Sequence, residues 1–446
     1  MGERGEKVKM GKPIVAIVGR PNVGKSTFFN NIIGKRISIV DDQPGVTRDR
    51  IYADTEWLDR QFTLVDTGGL DPKSNDPLLV QMRRQVEIAI ETADVIIFLT
   101  DGKAGVTPVD QEVANFLRKT QKPVLLAVNK IDTPQDEELV LDFYNLAIGA
   151  VIGISASHKR GLGDLLDMVV SYFPESDVDD KDEHIIKIAV VGKPNVGKSS
   201  LVNRILGEER VIVSNIPGTT RDAVDTPFQI DDQRYVIIDT AGIRRKSRIN
   251  ESLERYSVLR ALTAIRRCDV ALIMIDATEE ATEQDAKIAG LVHEEGKASI
   301  IVVNKWDLIP KDDYTMNEFR QRIMQRLGFM SYAPDIFISA KTGQRVNRII
   351  ELVNYVYEKY AFRISTGILN ECISDAIAIT PPPSVKGRRL RIYYSTQVSV
   401  KPPTFVLFVN DPKLMHVSYQ RYLENYLRQT FGLDGTPIRL LIRQKK

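Results

Sequence analysis

Short β-branched apolar runs alternate with amphipathic stretches from residue 14 onward. Ile14 to Val18, Phe62 to Val65, Val95 to Leu99, Val124 to Val128 and Val151 to Ile154 predict buried strands, with helical patterns between them. Runs apolar at every position suit strands covered on both faces, so the alternation predicts an α/β domain with a mostly parallel sheet and ligands bound beyond the strand ends. The segment Lys12 to Thr27 recurs at Lys187 to Ser200. The offset is 173 at Gly19/Gly192, Lys25/Lys198, Thr47/Thr220 and Asp66/Asp239, then 175 at Asn129/Asn304 and 184 at Ser155/Ser339. Solenoid repeats run about 20–50 residues. A whole domain is therefore duplicated, with insertions in its later loops.

The pattern changes near the C-terminus. Leu369 to Ala378 and Leu414 to Thr430 read as helices; Leu390 to Thr396, Phe405 to Val409 and Ile438 to Ile442 read as strands. The expected organisation is an extension over 1–12, α/β domains over 13–172 and 185–358, a linker over 173–184, and an α+β module over 359–446. Met415, Tyr419, Tyr422, Leu423, Tyr426 and Leu427 recur at helical spacing, which favours a core face over a base-stacking platform. Gly432 reads as a helix C-cap and Gly435 as a turn residue, not as a nucleotide-clamping Gly-x-x-Gly loop.

Charge adds a second contrast. The net charge is +2, yet residues 361–446 carry 13 Lys+Arg against 5 Asp+Glu. A basic module sits on an acidic remainder, which nucleic-acid binding and simple solvation both explain. Lys386, Arg388, Arg389, Arg391, Arg421 and Arg428 are the candidate phosphate contacts. The linker carries six acidic residues and one Lys, so self-repulsion would extend it. Cys268 and Cys372 match no metal-ligand spacing and read as reduced thiols. No apolar run approaches the ~18 residues that span a bilayer, and the N-terminus lacks a secretory pattern. A cytoplasmic protein without membrane contact is expected.

The chemistry lies in the loops after the strands. Gly19 to Ser26 and Gly192 to Ser199 both fit Gly-x-x-x-x-Gly-Lys-Ser between a strand and a helix. In this phosphate loop, Gly19, Asn22, Val23, Gly24, Lys25, Ser26 and Thr27, and in the second copy Gly192, Asn195, Val196, Gly197, Lys198, Ser199 and Ser200, would wrap a nucleotide's phosphates with backbone N–H groups. Lys25 and Lys198 meet the terminal phosphates; Ser26 and Ser199 ligate Mg²⁺. Asp-x-x-Gly follows in each copy as Asp66 to Gly69 and Asp239 to Gly242, where the Asp holds the metal through water and the Gly N–H senses the γ-phosphate. Thr47 and Thr220, at matching spacing between these motifs, would bring a hydroxyl to the metal.

Asn129-Lys130-Ile131-Asp132 and Asn304-Lys305-Trp306-Asp307 choose the base. An ionised Asp pairs with the guanine N1–H and 2-amino group, whereas adenine would strand that carboxylate. Ser155-Ala156 and Ser339-Ala340 would add backbone contacts to the guanine oxygen. GTP and GDP are thus the expected ligands.

Four ordered motifs, twice over, resemble the GTPase superfamily. With PNVGKS, PG[VT]TRD, an acidic linker and a basic end module, the chain resembles the Der (EngA) family of Era-like, tandem-domain GTPases. That resemblance implies two P-loop GTPase domains, a KH-like C-terminal domain, and slow GTP hydrolysis in assembly of the bacterial large (50S) ribosomal subunit. The implied partners are that subunit and its rRNA, with no DNA and no particular oligomer. Leu70 and Ile243 stand where many GTPases place a water-orienting Gln. Similarity to cation-dependent members implies that Asn22 and Asn195 help bind K⁺ as a source of transition-state charge. Lys25, Thr47, Lys198 and Thr220 complete the candidate catalytic set. The alternative of another class is an RNA-binding module that senses nucleotide without useful turnover. A second, a tRNA-modification GTPase, would need a catalytic domain that the sequence does not display.

Overall fold

The computed structural model describes residues 12–33, 52–69, 78–173, 185–208, 211–213, 225–239, 254–279, 281–310, 312, 314–385 and 388–445. Its contacts divide the chain into two compact units, the first made chiefly of residues before 180 and the second chiefly of those after.

In the first unit, β1 (Ile14–Val18), β2 (Tyr52–Trp57), β3 (Arg60–Asp66), β4 (Val95–Asp101), β5 (Val124–Asn129) and β6 (Ala150–Gly153) form one sheet in the order β2-β3-β1-β4-β5-β6. All neighbours run parallel except β2 against β3. Every residue of β1 and β4 is buried because their side chains alternate between two cores. Ala16, Val18, Ile96 and Phe98 face Val86, Val113 and Phe143 on one side; Val15, Ile17, Ile97 and Leu99 face Phe28, Leu165 and Val169 on the other. The edge strand β2 lacks an apolar run to announce it, since YADTEW is half exposed and pairs with a single neighbour.

The second unit repeats this sheet and adds an edge. β7 (Ile185–Val191), β8 (Val211–Val213), β9 (Thr226–Ile230), β10 (Gln233–Ile238), β11 (Val270–Asp276), β12 (Ala298–Asn304) and β13 (Asp335–Phe337) lie in the order β13-β12-β11-β7-β10-β9-β8. Here too β9 runs antiparallel to β10, while β10, β7, β11, β12 and β13 are parallel.

The C-terminal module belongs to the same unit. After a short hairpin, β14 (Ser384–Val385) with β15 (Arg388–Arg389), come β16 (Ile392–Ser399), β17 (Thr404–Val409) and β18 (Arg439–Gln444), a mixed sheet in which β17 is antiparallel to β16 and parallel to β18. Helices Thr366–Ile379 and Val417–Phe431 close its core around Leu369, Phe405, Leu407, Leu423 and Leu427. Tyr419 is buried and Tyr422 and Tyr426 pack on that core, as helical spacing predicts. Gly432 caps the second helix in the left-handed conformation.

The turn at Gly435 seats the module on the second α/β domain. The Gly435 N–H donates to the Tyr332 carbonyl (2.7 Å), and the Ser299 N–H donates to the Gly435 carbonyl (2.8 Å). Its φ is +74°, and a Cβ there would meet Val356 at 2.5 Å, so only glycine fits this approach. Arg428, one of the candidate phosphate contacts, is instead drawn into this seam. Its guanidinium stacks 4.9 Å from the Tyr332 ring centroid, and its Nη1 donates to the Leu433 and Thr436 carbonyls. The helical repeat places Arg428 opposite the module's own core, but the neighbouring domain covers that direction.

Candidate nucleotide sites

β1 and β7 each run into a phosphate loop and then a helix, Lys25–Ile33 or Lys198–Leu206. Gly24 and Gly197 hold φ of +99° and +101°, and Asn22 and Asn195 also lie in the left-handed region at 66° and 64°. These turns expose both Asn side chains and bury Val23 and Val196 beneath the loop. Thr27 and Ser200 are exposed on the helices' first turns.

Each lysine folds over its own loop. Lys25 Nζ donates to the Gly19 and Arg20 carbonyls (2.5 and 2.9 Å), and Lys198 Nζ to those of Gly192 and Lys193 (2.6 and 2.7 Å). Burial lowers the pKa of both ammonium groups; the Asp66 carboxylate partly offsets this for Lys25, while Lys198 falls to about 8. A desolvated cation that still carries an N–H beyond its two carbonyl bonds, at a helix N-terminus, fits a phosphate anion.

The Ser26 hydroxyl donates to Asp66 Oδ2 at 3.3 Å, and Asp66 is itself buried at the end of β3. Two hard oxygen ligands side by side fit Mg²⁺, whose bound form would neutralise phosphate charge there. Ser199 and Asp239 take the corresponding places after β7 and β10. Gly69 closes the short turn after Asp66. Thr47, Thr220, Gly242 and Lys386 lie outside the described residues.

Asn129 and Asn304, at the ends of β5 and β12, act as braces. Asn129 Nδ2 donates to the Val23 carbonyl (2.7 Å) while its Oδ1 accepts the Ala156 N–H (2.8 Å). Asn304 repeats both bonds with Val196 and Ala340 (2.8 and 2.9 Å). The Ala156 and Ala340 amides, expected to face a guanine oxygen, are thus committed to the Asn side chains. A Cβ on Gly24 or Gly197 would run into the same Asn amide nitrogens. Motif spacing shows neither brace, because the partners are joined only through the fold.

Lys130 and Lys305 adopt positive φ and pair with Asp101 and Asp276, at the ends of β4 and β11. Ser155 and Ser339 are wholly buried. The Asp132 carboxylate accepts from Lys103 Nζ (2.5 Å) and the Ser155 hydroxyl (2.7 Å), with His158 Nδ1 at 3.2 Å. The Lys103 bond, then that of Ser155, hold its pKa down to about 2. Lys103 carries no motif signature. Among the described residues, Asp307 has no such partner.

Of the basic candidates, Arg389, Arg391 and Arg421 are exposed, and Arg388, also exposed, pairs with Asp411 at 3.2 Å.

Two α/β domains, each carrying a lysine-closed phosphate loop, a strand-end Asp and an Asn-Lys-x-Asp turn braced to that loop, define a tandem P-loop GTPase with a KH-like end domain. Residues 14–130 and 187–305 match the family described as 50S ribosome-binding GTPase, and residues 363–443 match the KH-domain-like C-terminal family of EngA bacterial GTPase enzymes. Proteins named GTPase Der are 62% identical over 98% of this chain and the whole of the Acetivibrio thermocellus protein, and 61% identical over 98% of this chain and 99% of that from Ruminiclostridium cellulolyticum. The chain belongs to the Der family of GTPases.

Proposed function

We propose that this chain binds GTP at both phosphate loops, hydrolyses it slowly to GDP and phosphate, and uses the cycle to control its attachment to the large ribosomal subunit and rRNA during 50S biogenesis. The observation that carries this reading is the lysine folded over each loop, Lys25 buried and Lys198 partly so, a charge that desolvation disfavours until an anion arrives. Domain limits of 13–172, 185–358 and 359–446 go with it.

In this reading Lys25 and Lys198 orient and neutralise the terminal phosphates, and loop N–H groups hold them. Asp132 and Asp307 read the base, while Asn129 and Asn304 keep base and phosphate subsites in register. Mg²⁺, held through Ser26, Asp66 and Thr47 or Ser199, Asp239 and Thr220, supplies phosphate charge neutralisation. Asn22 and Asn195 bind K⁺, which supplies positive charge near the developing phosphate negative charge. Arg389, Arg391 and Arg421 contact RNA phosphates. No helix among the described residues is long and apolar enough to cross a membrane, and we place the protein in the cytoplasm.

Co-sedimentation with ribosomal subunits in GDP, GTP and a non-hydrolysable analogue tests the reading. Retention on the large subunit should differ between nucleotide states; identical retention in all three would contradict it. Single-turnover hydrolysis by Lys25→Ala and Lys198→Ala chains separates it from the alternative of nucleotide sensing without useful turnover.

A further inference from the structure

The two copies differ where the base is read. The loops after β4 and β11 are built alike: the Lys103 N–H donates to Asp101 Oδ1 (3.1 Å), and the Thr278 N–H donates to Asp276 Oδ1 (2.9 Å). Residues 103 and 278 therefore leave the backbone at matching points. The Thr278 hydroxyl turns back to Asp276 (2.7 Å), whereas Lys103 reaches across to Asp132 Oδ2 (2.5 Å). A second difference lies on the other side of the carboxylate. Asp132 Oδ1 has the Ser155 hydroxyl and His158 Nδ1; in the second copy Thr342 stands at the His158 position, and although its N–H donates to Ser339 Oγ (3.1 Å) just as that of His158 donates to Ser155 Oγ (3.1 Å), it brings no ring nitrogen to the carboxylate. Asp307 has no side-chain partner among the described residues.

Selectivity for guanine over hypoxanthine comes from one group. Both purines present N1–H, and only guanine adds the 2-amino group. A site that depends on that group pays when it is missing, because one carboxylate oxygen is left desolvated and unpaired. Asp307 faces that penalty in full. At Asp132 the Lys103 ammonium already bonds Oδ2, while Oδ1 has Ser155 and His158, so a cation is at hand for a carboxylate oxygen that a purine without the 2-amino group would leave unpaired. Lys103 is half exposed and tethered by this single ion pair, so it can yield to guanine and stay for hypoxanthine.

We propose that Lys103 is a specificity-determining residue that relaxes the first site's demand for the purine 2-amino group, so that the first site accepts hypoxanthine nucleotides which the second rejects. The inference rests on Asp132 and Asp307 being the base readers, and deepens that reading by separating the two sites by substrate class.

The test is the ratio of IDP to GDP dissociation constants at each site of the full-length chain. Lys198→Ala isolates the first site and Lys25→Ala the second. Both nucleotides carry the same phosphates, so the long-range attraction of Lys103 for anions cancels in the ratio. The ratio should be at least ~5-fold smaller at the first site, the scale of one hydrogen bond to a charged acceptor. Lys103→Thr should raise it toward that of the second site, Lys103→Arg should leave it low, and Thr278→Lys should lower it at the second. Equal ratios at the two sites, or a ratio untouched by Lys103→Thr, would overturn the proposal while leaving the GTPase reading intact. Absence of GDP binding at the first site, seen directly in the GDP titration, would overturn both.

Discussion

The Asn304 side-chain amide donates to the Val196 carbonyl at 2.8 Å, joining residues 108 apart in the chain. Through this bond and the Ala340 N–H on its Oδ1, one buried amide fixes the Gly192–Ser199 loop, the Asn-Lys-x-Asp turn and the following loop to each other. Asn304→Ala strands a buried carbonyl and a buried N–H, each costing about 1–3 kcal/mol. Thermal unfolding should show a destabilised second domain, and GDP affinity should fall at the second site while the first, braced separately by Asn129, keeps its own. Gly197→Ala should do at least as much, since a Cβ there collides with Asn304 Nδ2 at a backbone angle that disfavours alanine.

Burial brings the Lys198 pKa down to about 8 without a nucleotide, below its usual 10.5. Phosphate favours the ammonium form, so nucleotide binding at the second site should take up protons between pH 8 and 10.5, and affinity should drop by up to ~10-fold per unit across that window. Calorimetry of the Lys25→Ala chain in buffers of different ionisation enthalpy would measure the uptake. Without nucleotide the same group should act on stability in the opposite sense: above pH 8 the unfolded lysine keeps a proton the folded one has released, so stability should rise with pH.

Replacing K⁺ by Na⁺ should slow GTP turnover at both sites, and Asn22→Ala should abolish the cation effect at the first site alone. Equal rates in the two salts would remove K⁺ from the account.

Arg421→Ala and Arg428→Ala should separate RNA contact from architecture. Arg421 is exposed, so its loss should weaken rRNA binding and flatten its salt dependence by about one counterion, with unfolding unchanged. Arg428 holds the Gly435 turn against Tyr332, so its loss should lower the unfolding temperature of the second unit. Filter binding across a salt series, with parallel melts, distinguishes the two.

The places of the phosphate loops, of Asp66 and Asp239 and of the Asn-Lys-x-Asp turns at strand ends were legible because local spacing after a buried strand suffices to place them. β1 and β4 were legible for a related reason, being apolar at every position. β2 was not, because an edge strand needs no apolar run. The Asn braces and the Lys103–Asp132 pair were hidden because their partners meet only when separate strand ends converge. Arg428 misled because a helical repeat reports which side faces a helix's own core and says nothing of a second domain beyond it.

The central claim is two lysine-closed, guanine-reading sites on one chain. Isothermal titration of GDP and ADP into the full-length protein in magnesium buffer tests it most directly. Two GDP should bind per chain, falling to one in Lys25→Ala and in Lys198→Ala, with ADP weaker by orders of magnitude. Fewer than two GDP per chain, or ADP bound as tightly, would contradict it.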